Sequence, residues 1–242
     1  MSLTFLHTND FHGTLIPEKA ELIRKLREDA DLYADSGDCI QVGNMDIPLE
    51  TDLVWDLLQS AGCDIGVIGN RETHPFRKAF EAKLKGAHHP LVCANLIDEA
   101  TKNPVLLPFK IFECKGMKIG FFGVMVPMIT KGMWSSSFSP FLWESPLEVA
   151  VTLTQTLRKE VDILIALTHI GFAQDQLLAK RSLEFDLIFG GHSHDKLEPP
   201  TQIGKTWVCQ TGSHGKFIGR YVWEQGKGLL SGEMISLDIN KK

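Results

Sequence analysis

The feature that most constrains this sequence is a repeated grammar. Five short apolar runs each stop at a polar residue of metal-ligand type beside glycine. LTFL leads to Asp10 and His12, followed by Gly13; DLYADSG leads to Asp38; DIGVIG leads to Asn70. Further on, DILIALT leads to His169, and DLIFGG leads to His192 and His194. Apolar runs this short, bounded by glycine, read as buried strands. In open α/β sheets, sites gather outside the carboxyl ends of the strands. Seven such residues at five strand ends are more than core packing alone explains. Asp10 and His12 stand two residues apart, which puts both side chains on one side of an extended chain.

Helical patterns lie between the runs, so the chain reads as α/β. Residues 17–30 carry Leu22, Ile23, Leu26 and Ala30 at helical spacing. Thr51 is the predicted N-cap of a helix to Ala61, with Val54, Leu57 and Leu58 inward. Pro75 opens a helix carrying Phe76, Phe80 and Leu84. Ser145 and Glu148 form a capping box, with Pro146 at the first helical position of a helix to Glu160. Residues 171–183 are also helical. Strands are expected at 31–37, 65–68 and 90–96, in a pair 105–114 and 118–126, and at 162–167, 186–189, 206–210, 217–223 and 233–239. Residues 128–143, rich in Ser, Gly and aromatics, read as one long loop. No repeat or linker divides the chain, so residues 1–242 are expected to form a single domain.

Composition narrows the partners. The net charge of −5, without an extended basic patch, argues against a nucleic-acid groove. No apolar run is long enough to span a bilayer, and the first residues lack a signal-peptide pattern. The five cysteines are odd in number and scattered, as in a protein of the reducing cytoplasm. A cytoplasmic location is therefore the expectation.

A mixed Asp, Asn and His set suits borderline first-row metals: zinc, manganese or iron. Seven donors exceed one tetrahedral ion. They suit two divalent ions about 3.5–4 Å apart that share a carboxylate.

TNDFHG, GD, GN, TH and GGHSH, in this order, resemble the calcineurin-like metallophosphoesterases. The opening TND-x-HG and the late QTGSHGKFIGR look most like the catalytic domain of the 5′-nucleotidase branch, without the C-terminal nucleotide-binding domain of those enzymes. The resemblance implies a four-layer α/β/β/α sandwich of two mixed sheets. It implies that Asp10, His12 and His194 hold a first metal, that Asp38 bridges, and that Asn70, His169 and His192 hold a second. It also implies hydrolysis of a small phosphate ester, a nucleotide monophosphate or a phosphodiester, by hydroxide held between the ions.

The chain departs from that branch at one place. Where the nucleotidase pattern has GN-H-E, this sequence has GNRETH. Arg71 stands in place of a histidine that assists the leaving group, and His74 replaces the carboxylate that orients it. An arginine side chain keeps its proton and cannot act as a general acid, but it can clamp a phosphoryl oxygen. His74 is the remaining candidate proton donor, or else it caps the next helix. The substitution keeps an alternative open: a catalytically weak relative that binds a phosphorylated ligand or serves a regulatory role. A branch with a similar domain removes a sulfur oxyanion from a carrier.

The other singled-out residues have plainer readings. His7 is expected to pack within the first strand, and His88 and His89 to lie in a surface loop. His214, in a Gly-rich turn, is a candidate to touch substrate at the mouth. Cys39 is assigned to the core. Trp134, Phe138, Phe141 and Trp143 either anchor their loop or form a lid or base-stacking wall; anchoring is the simpler reading.

Overall fold

Strands that are apolar on both faces need a layer on each side, and the chain supplies them. The computed structural model describes residues 1–130, 132–181 and 184–239. The first half contains β1 (Ser2–Thr8), α1 (Pro17–Arg27), β2 (Leu32–Asp35), α2 (Val54–Ser60), β3 (Ile65–Val67), α3 (Arg77–Leu84), β4 (Leu91–Val92), β5 (Leu96–Asp98), β6 (Phe109–Cys114) and β7 (Met117–Met125). The second half adds β8 (Phe141–Trp143), α4 (Pro146–Leu157), β9 (Ile163–His169), α5 (Phe172–Arg181), β10 (Leu187–Phe189), β11 (Thr201–Ile203), β12 (Thr206–Cys209), β13 (Phe217–Glu224) and β14 (Gly228–Ser236). One six-stranded sheet has the order β14-β13-β1-β2-β3-β4, and the other β11-β12-β10-β9-β7-β6. Both are mixed. β1 runs parallel to β2 and antiparallel to β13, while β9 runs parallel to both β7 and β10.

Alternation along each strand builds the layers. Leu3, Phe5, Ala34, Ile65 and Val67 meet Phe121, Ile163, Ile165, Leu167 and Phe189 between the sheets. On the outer face of the first sheet, Leu6 and Tyr33 pack on Ala20 and Ile23 of α1 and on Val54, Trp55 and Leu58 of α2. On the outer face of the second, Phe122, Val124, Leu164 and Ile188 pack on Ala150 and Leu157 of α4 and on Leu178 and Ala179 of α5. The result is the α/β/β/α sandwich. Each fully buried Phe, Leu or Ile contributes about 1.5–3 kcal/mol, which fixes strand register firmly. Asp10, Asp38, Asn70 and His192 follow the carboxyl ends of strands in the parallel core, and His169 is the last residue of β9.

Several boundaries differ from the sequence expectations for local reasons. The first helix stops at Arg27 because residues 28–30 close into tighter turns, with Glu28, Asp29 and Ala30 each donating to the carbonyl three residues back. The second starts at Val54, and Asp52 rather than Thr51 takes its first N–H: Oδ1 accepts from Val54 at 3.0 Å, while Oδ2 accepts from Gln41 at 2.8 Å. The third starts at Arg77, two residues past Pro75. At the capping box, Ser145 Oγ does accept from the Glu148 N–H, at 3.5 Å. The expected strand 90–96 divides into β4 and β5. The expected loop 128–143 contains a 3₁₀ turn, Trp134–Ser137, and β8, which pairs antiparallel with β5. That partner lies over forty residues upstream (Leu96 opposite Trp143), so no local pattern marks the pairing. In the tail, β11 is additional and β14 begins at Gly228 rather than Glu233. The last two positions of the expected helix 171–183 lie outside the described residues.

Candidate metal centre

Beyond β1 the backbone runs beside the loop that follows β2. Asp10 N–H donates to Gly37 O at 2.9 Å, His12 N–H to Asp38 O at 2.8 Å, and Gly13 N–H to Cys39 O at 2.9 Å. This ladder sets Asp10 and His12 against Asp38. Asn9 ties it to the far end of the chain: Nδ2 donates to Asp10 Oδ2 and to Gly212 O, each at 2.7 Å, and Oδ1 accepts from Thr211. The ladder requires unusual backbone. Eight non-glycine residues among those described have positive φ, and five of them are Asp10, His12, Asp38, His192 and His194. Left-handed backbone costs about 1–2 kcal/mol per residue, so strain is concentrated where these side chains converge.

The seven sequence-derived candidates come together as two groups. In one, His12 Nε2 lies 2.9 Å from His194 Nε2 and 3.5 Å from Asp10 Oδ1, which is 3.3 Å from His194 Nε2. In the other, Asn70 Oδ1 lies 3.2 Å from His169 Nε2 and 3.0 Å from His192 Nδ1. Asp38 Oδ2 stands between them, 3.6 Å from His169 Nε2 and 3.9 Å from His12 Nδ1. Asp10, Asp38 and His169 also converge closely enough to share an ion.

These residues fit divalent metal. Donors bound at about 2.0–2.1 Å around a tetrahedral ion sit about 3.3–3.4 Å from one another, close to the spacings within each group. Asp10 Oδ1 is buried and has no hydrogen-bond donor among the described residues. An anionic oxygen left that way is costly unless a cation faces it. Asp10, Asp38 and His169 form a buried floor, while His192 and His194 are exposed and leave the other side open.

The surrounding shell orients the donors. His169 Nδ1 donates to Ser36 O at 2.7 Å, which leaves Nε2 for the cage. Asp10 Oδ2 is taken by Asn9 and by the His192 N–H at 2.9 Å, so Oδ1 faces inward. Asp38 Oδ1 is taken by the Arg71 N–H at 2.7 Å, so Oδ2 is the oxygen that faces both groups. A Cβ on Gly191 would sit 3.0 Å from His169 Nδ1 and 3.1 Å from Asp10 Oδ2; one on Gly69 would sit within 2.3 Å of Asp38 Oδ1. Only glycine lets those loops approach the donors so closely.

Electrostatics follow from this packing. Burial lowers His12 to about 4, against the pull of Asp38, so its ring is neutral and one ring nitrogen offers a lone pair. Burial and the neighbouring His169 lower His192 as well. Burial would also lower His169, but the contact with Asp38 outweighs it and raises that ring to about 9. The same contact outweighs burial at Asp38 and holds its carboxyl below the usual range. The carboxylates thus attract positive charge to this point, and a divalent ion answers that better than a proton.

Of the remaining candidates, Arg71 is at the rim, its guanidinium donating to Gln41 O at 2.7 Å. His74 is directed elsewhere. Its Nδ1 accepts from the Phe76 N–H at 3.0 Å, it lines a neighbouring cleft, and it makes no hydrogen bond with the seven donors among the described residues. His214 is at the mouth, its ring centroid 4.9 Å from that of His12, and its N–H donates to Asp10 O at 2.7 Å. His7 is packed as expected, and His88 pairs at the surface with Asp56. His89 is not a surface residue: it is buried near Trp55, and burial pushes its ring to about 4.

Supporting residues without a strong sequence signal complete the centre. Glu72 is buried; Oε2 accepts from Asp38 N–H and Gly69 N–H, and Oε1 from Cys39 N–H and Ile40 N–H. It joins the two loops that carry Asp38 and Asn70. Lys83, buried on α3, donates to the carbonyls of Gly43, Asn44 and Arg71 and fixes a third loop beside them.

A family profile described as calcineurin-like phosphoesterase matches residues 3–196. A 5′-nucleotidase of Vibrio cholerae is 28% identical over 293 residues, covering 99% of this chain and 52% of that protein. The uncharacterized metallophosphoesterase YunD of Bacillus subtilis is 26% identical, covering 90% of this chain and 49% of its own. The chain spans about half the length of the curated relatives it matches. Among solved structures, the calcineurin-like phosphoesterase YfkN from Bacillus subtilis has a TM-score of 0.79 at 22% identity, over 100% of this chain and 92% of that one. With the profile spanning most of the sequence and the donors converging as described, the chain belongs to the calcineurin-like phosphoesterase family.

Proposed function

We propose that the protein is a phosphohydrolase dependent on two divalent ions and acting on a small phosphate ester, either a nucleotide monophosphate or a phosphodiester. The observation that carries this is Asp38, whose Oδ2 lies 3.6 Å from His169 Nε2 of one group of donors and which, with His169 and Asp10 of the other group, lies close enough to share an ion. On this reading Asp10, His12 and His194 hold one ion, Asn70, His169 and His192 the other, and Asp38 both. When bound, the ions supply Lewis acidity to the phosphoryl oxygens and make water a nucleophile near neutral pH. The chain's own residues do the rest. Arg71, at the rim, clamps a phosphoryl oxygen with the donors that Gln41 leaves free, and it stabilises charge developing on the phosphoryl group. His214 meets the substrate at the mouth. His74 positions its loop, and the leaving-group proton comes from elsewhere.

The same reading covers residues 1–242 as a single catalytic domain. A cytoplasmic location is supported by cysteines that are free, four of them buried. No helix among the described residues is long and apolar enough to cross a membrane. Asp38→Asn tests the assignment. It should lower bound metal and remove turnover together on mono- and diester substrates with added manganese. Full metal content and full turnover in that variant would sink it.

A further inference from the structure

Ser193 stands between His192 and His194, which the proposed centre assigns to different ions. Both histidines have positive φ, 80° and 61°, in a backbone region that residues other than glycine seldom enter. The loop therefore needs contacts from outside to keep both rings on the cage. A buried polar line beneath it supplies them. The line consists of Thr168, Asp175 and Gln210, all closed off from solvent.

The line starts at β9. Thr168 precedes His169 and donates from Oγ1 to Asp175 Oδ1, on α5, at 2.6 Å. Asp175 Oδ2 accepts from Gln210 Nε2 at 3.2 Å. Gln210 follows β12; its Nε2 also donates to Gly191 O at 3.3 Å, and its Oε1 accepts from Ser193 Oγ at 3.1 Å. The serine hydroxyl in turn accepts from the Phe172 N–H, at the start of α5, at 2.9 Å. A carboxamide has two N–H donors and one oxygen, and here two acceptors and one hydroxyl surround it. That fixes which end faces Ser193. The loop sits directly on the line: a Cβ on Gly190 would run into Asp175 Oδ2 and sit 2.9 Å from Gln210 Nε2.

We propose that Gln210, acting through Ser193, is a positioning residue for both ions at once. Three of the seven donors, His169, His192 and His194, are carried by the segments that this line joins, and Ser193 borders one donor of each ion. His192 also donates its N–H to Asp10 Oδ2, so a shift of the loop reaches a further donor of the first ion. The proposal rests on the two-ion reading and adds the residues that couple the two sites. Releasing Ser193 loosens His192 and His194 together, so the two affinities fall together.

Manganese affinity, measured by competition with a chelating indicator, tests it. Ser193→Ala, at an exposed position, removes the hydroxyl and leaves the core intact. It should weaken both ions by about tenfold, the lower end of what outer contacts of metal donors carry, and leave Tm in chelator unchanged. Ser193→Thr, which keeps the hydroxyl, should restore most of the affinity. Gln210→Met, of similar volume, should weaken both ions at least as far, and adding Ser193→Ala to it should cost little more. Unchanged affinities in Ser193→Ala, loss at one ion only, or a lower Tm in chelator with both affinities intact would overturn the proposal. So would additive losses in the double variant. If both ions weaken in Ser193→Ala and the unmodified chain hydrolyses no ester, the phosphohydrolase reading fails and the positioning role stands. If the unmodified chain hydrolyses esters and Ser193→Ala binds both ions as tightly, the reverse holds.

Discussion

Asn44 Oδ1 accepts a hydrogen bond from Asn70 Nδ2 at 3.1 Å, and this contact decides which end of the Asn70 amide faces the cage. With Nδ2 engaged outward, Oδ1 points at His169 and His192. A carboxamide can hold a cation only by its oxygen. Outer contacts of this kind typically change metal affinity by about 10–100-fold. Asn44→Ala should weaken the more loosely held metal by about tenfold in a competition titration, and Asn44→Asp, which keeps the acceptor, should restore most of it. Equal affinities in Asn44→Ala and the unmodified chain would show that another contact sets the amide.

Glu72 supports the same loops by a different route. Each of its carboxylate oxygens accepts two backbone N–H groups, at 2.8–3.1 Å. Glutamine cannot replace it. Either orientation of the amide sets an NH₂ against two N–H donors, and each orphaned donor costs about 1–3 kcal/mol. Glu72→Gln should therefore lower Tm by roughly 5–10 °C and reduce bound metal. A melting curve within a degree of the unmodified protein would refute the clamp.

Arg71 sets the dependence on leaving group. Its backbone N–H holds Asp38 whatever the side chain, so Arg71→His alters the rim without releasing the carboxylate. Histidine can donate a proton where arginine cannot. The variant should gain about tenfold or more on an alkyl phosphate, whose leaving group needs protonation, and little on an activated aryl phosphate. Parallel changes on both esters would exclude a role in leaving-group protonation for this position.

The cage was legible because each donor follows an apolar run and borders glycine, a pattern that strand burial and tight turns impose on the sequence itself. The grouping of Asp10 and His12 with His194, near the opposite end of the chain, comes only from the family resemblance. The supporting shell was less legible. Glu72 adjoins the Gly69-Asn70 turn, but nothing in GNRETH says that its carboxylate turns back to four amides of two loops. Asn44 and Lys83 act through contacts 26 and 39 residues apart in sequence, which leave no periodicity to read. β8 escaped for the same reason, its three residues pairing with β5 more than forty residues upstream. His89 looked exposed because burial at a sheet margin depends on which helix covers it.

His7 gives the fold a further pH dependence at a ring that is not itself a metal donor, although Ser36 bonds both it and His169. Its ring stacks on Phe189 at 4.7 Å, and Nε2 lies 2.9 Å from Ser36 Oγ. Because Ser36 Oγ donates to Phe189 O at 2.7 Å, His7 donates from Nε2 and keeps a lone pair on Nδ1. That atom is buried with no partner among the described residues. Burial pushes the ring down from 6.5 to about 3. As pH falls below 6.5, the unfolded chain binds a proton that the folded chain refuses. The stability from the neutral ring is complete above that pH and is lost on the way down to about 3, a total of at most about 5 kcal/mol. His7→Phe keeps the stacked ring and removes the titration. In chelator, so that metal release adds no slope of its own, the variant should lose about 2–3 kcal/mol less than the unmodified chain between neutral pH and pH ~4.5 in denaturant titrations. Equal losses in the two proteins would place the acid sensitivity at another buried group, of which His89 is the nearest in kind.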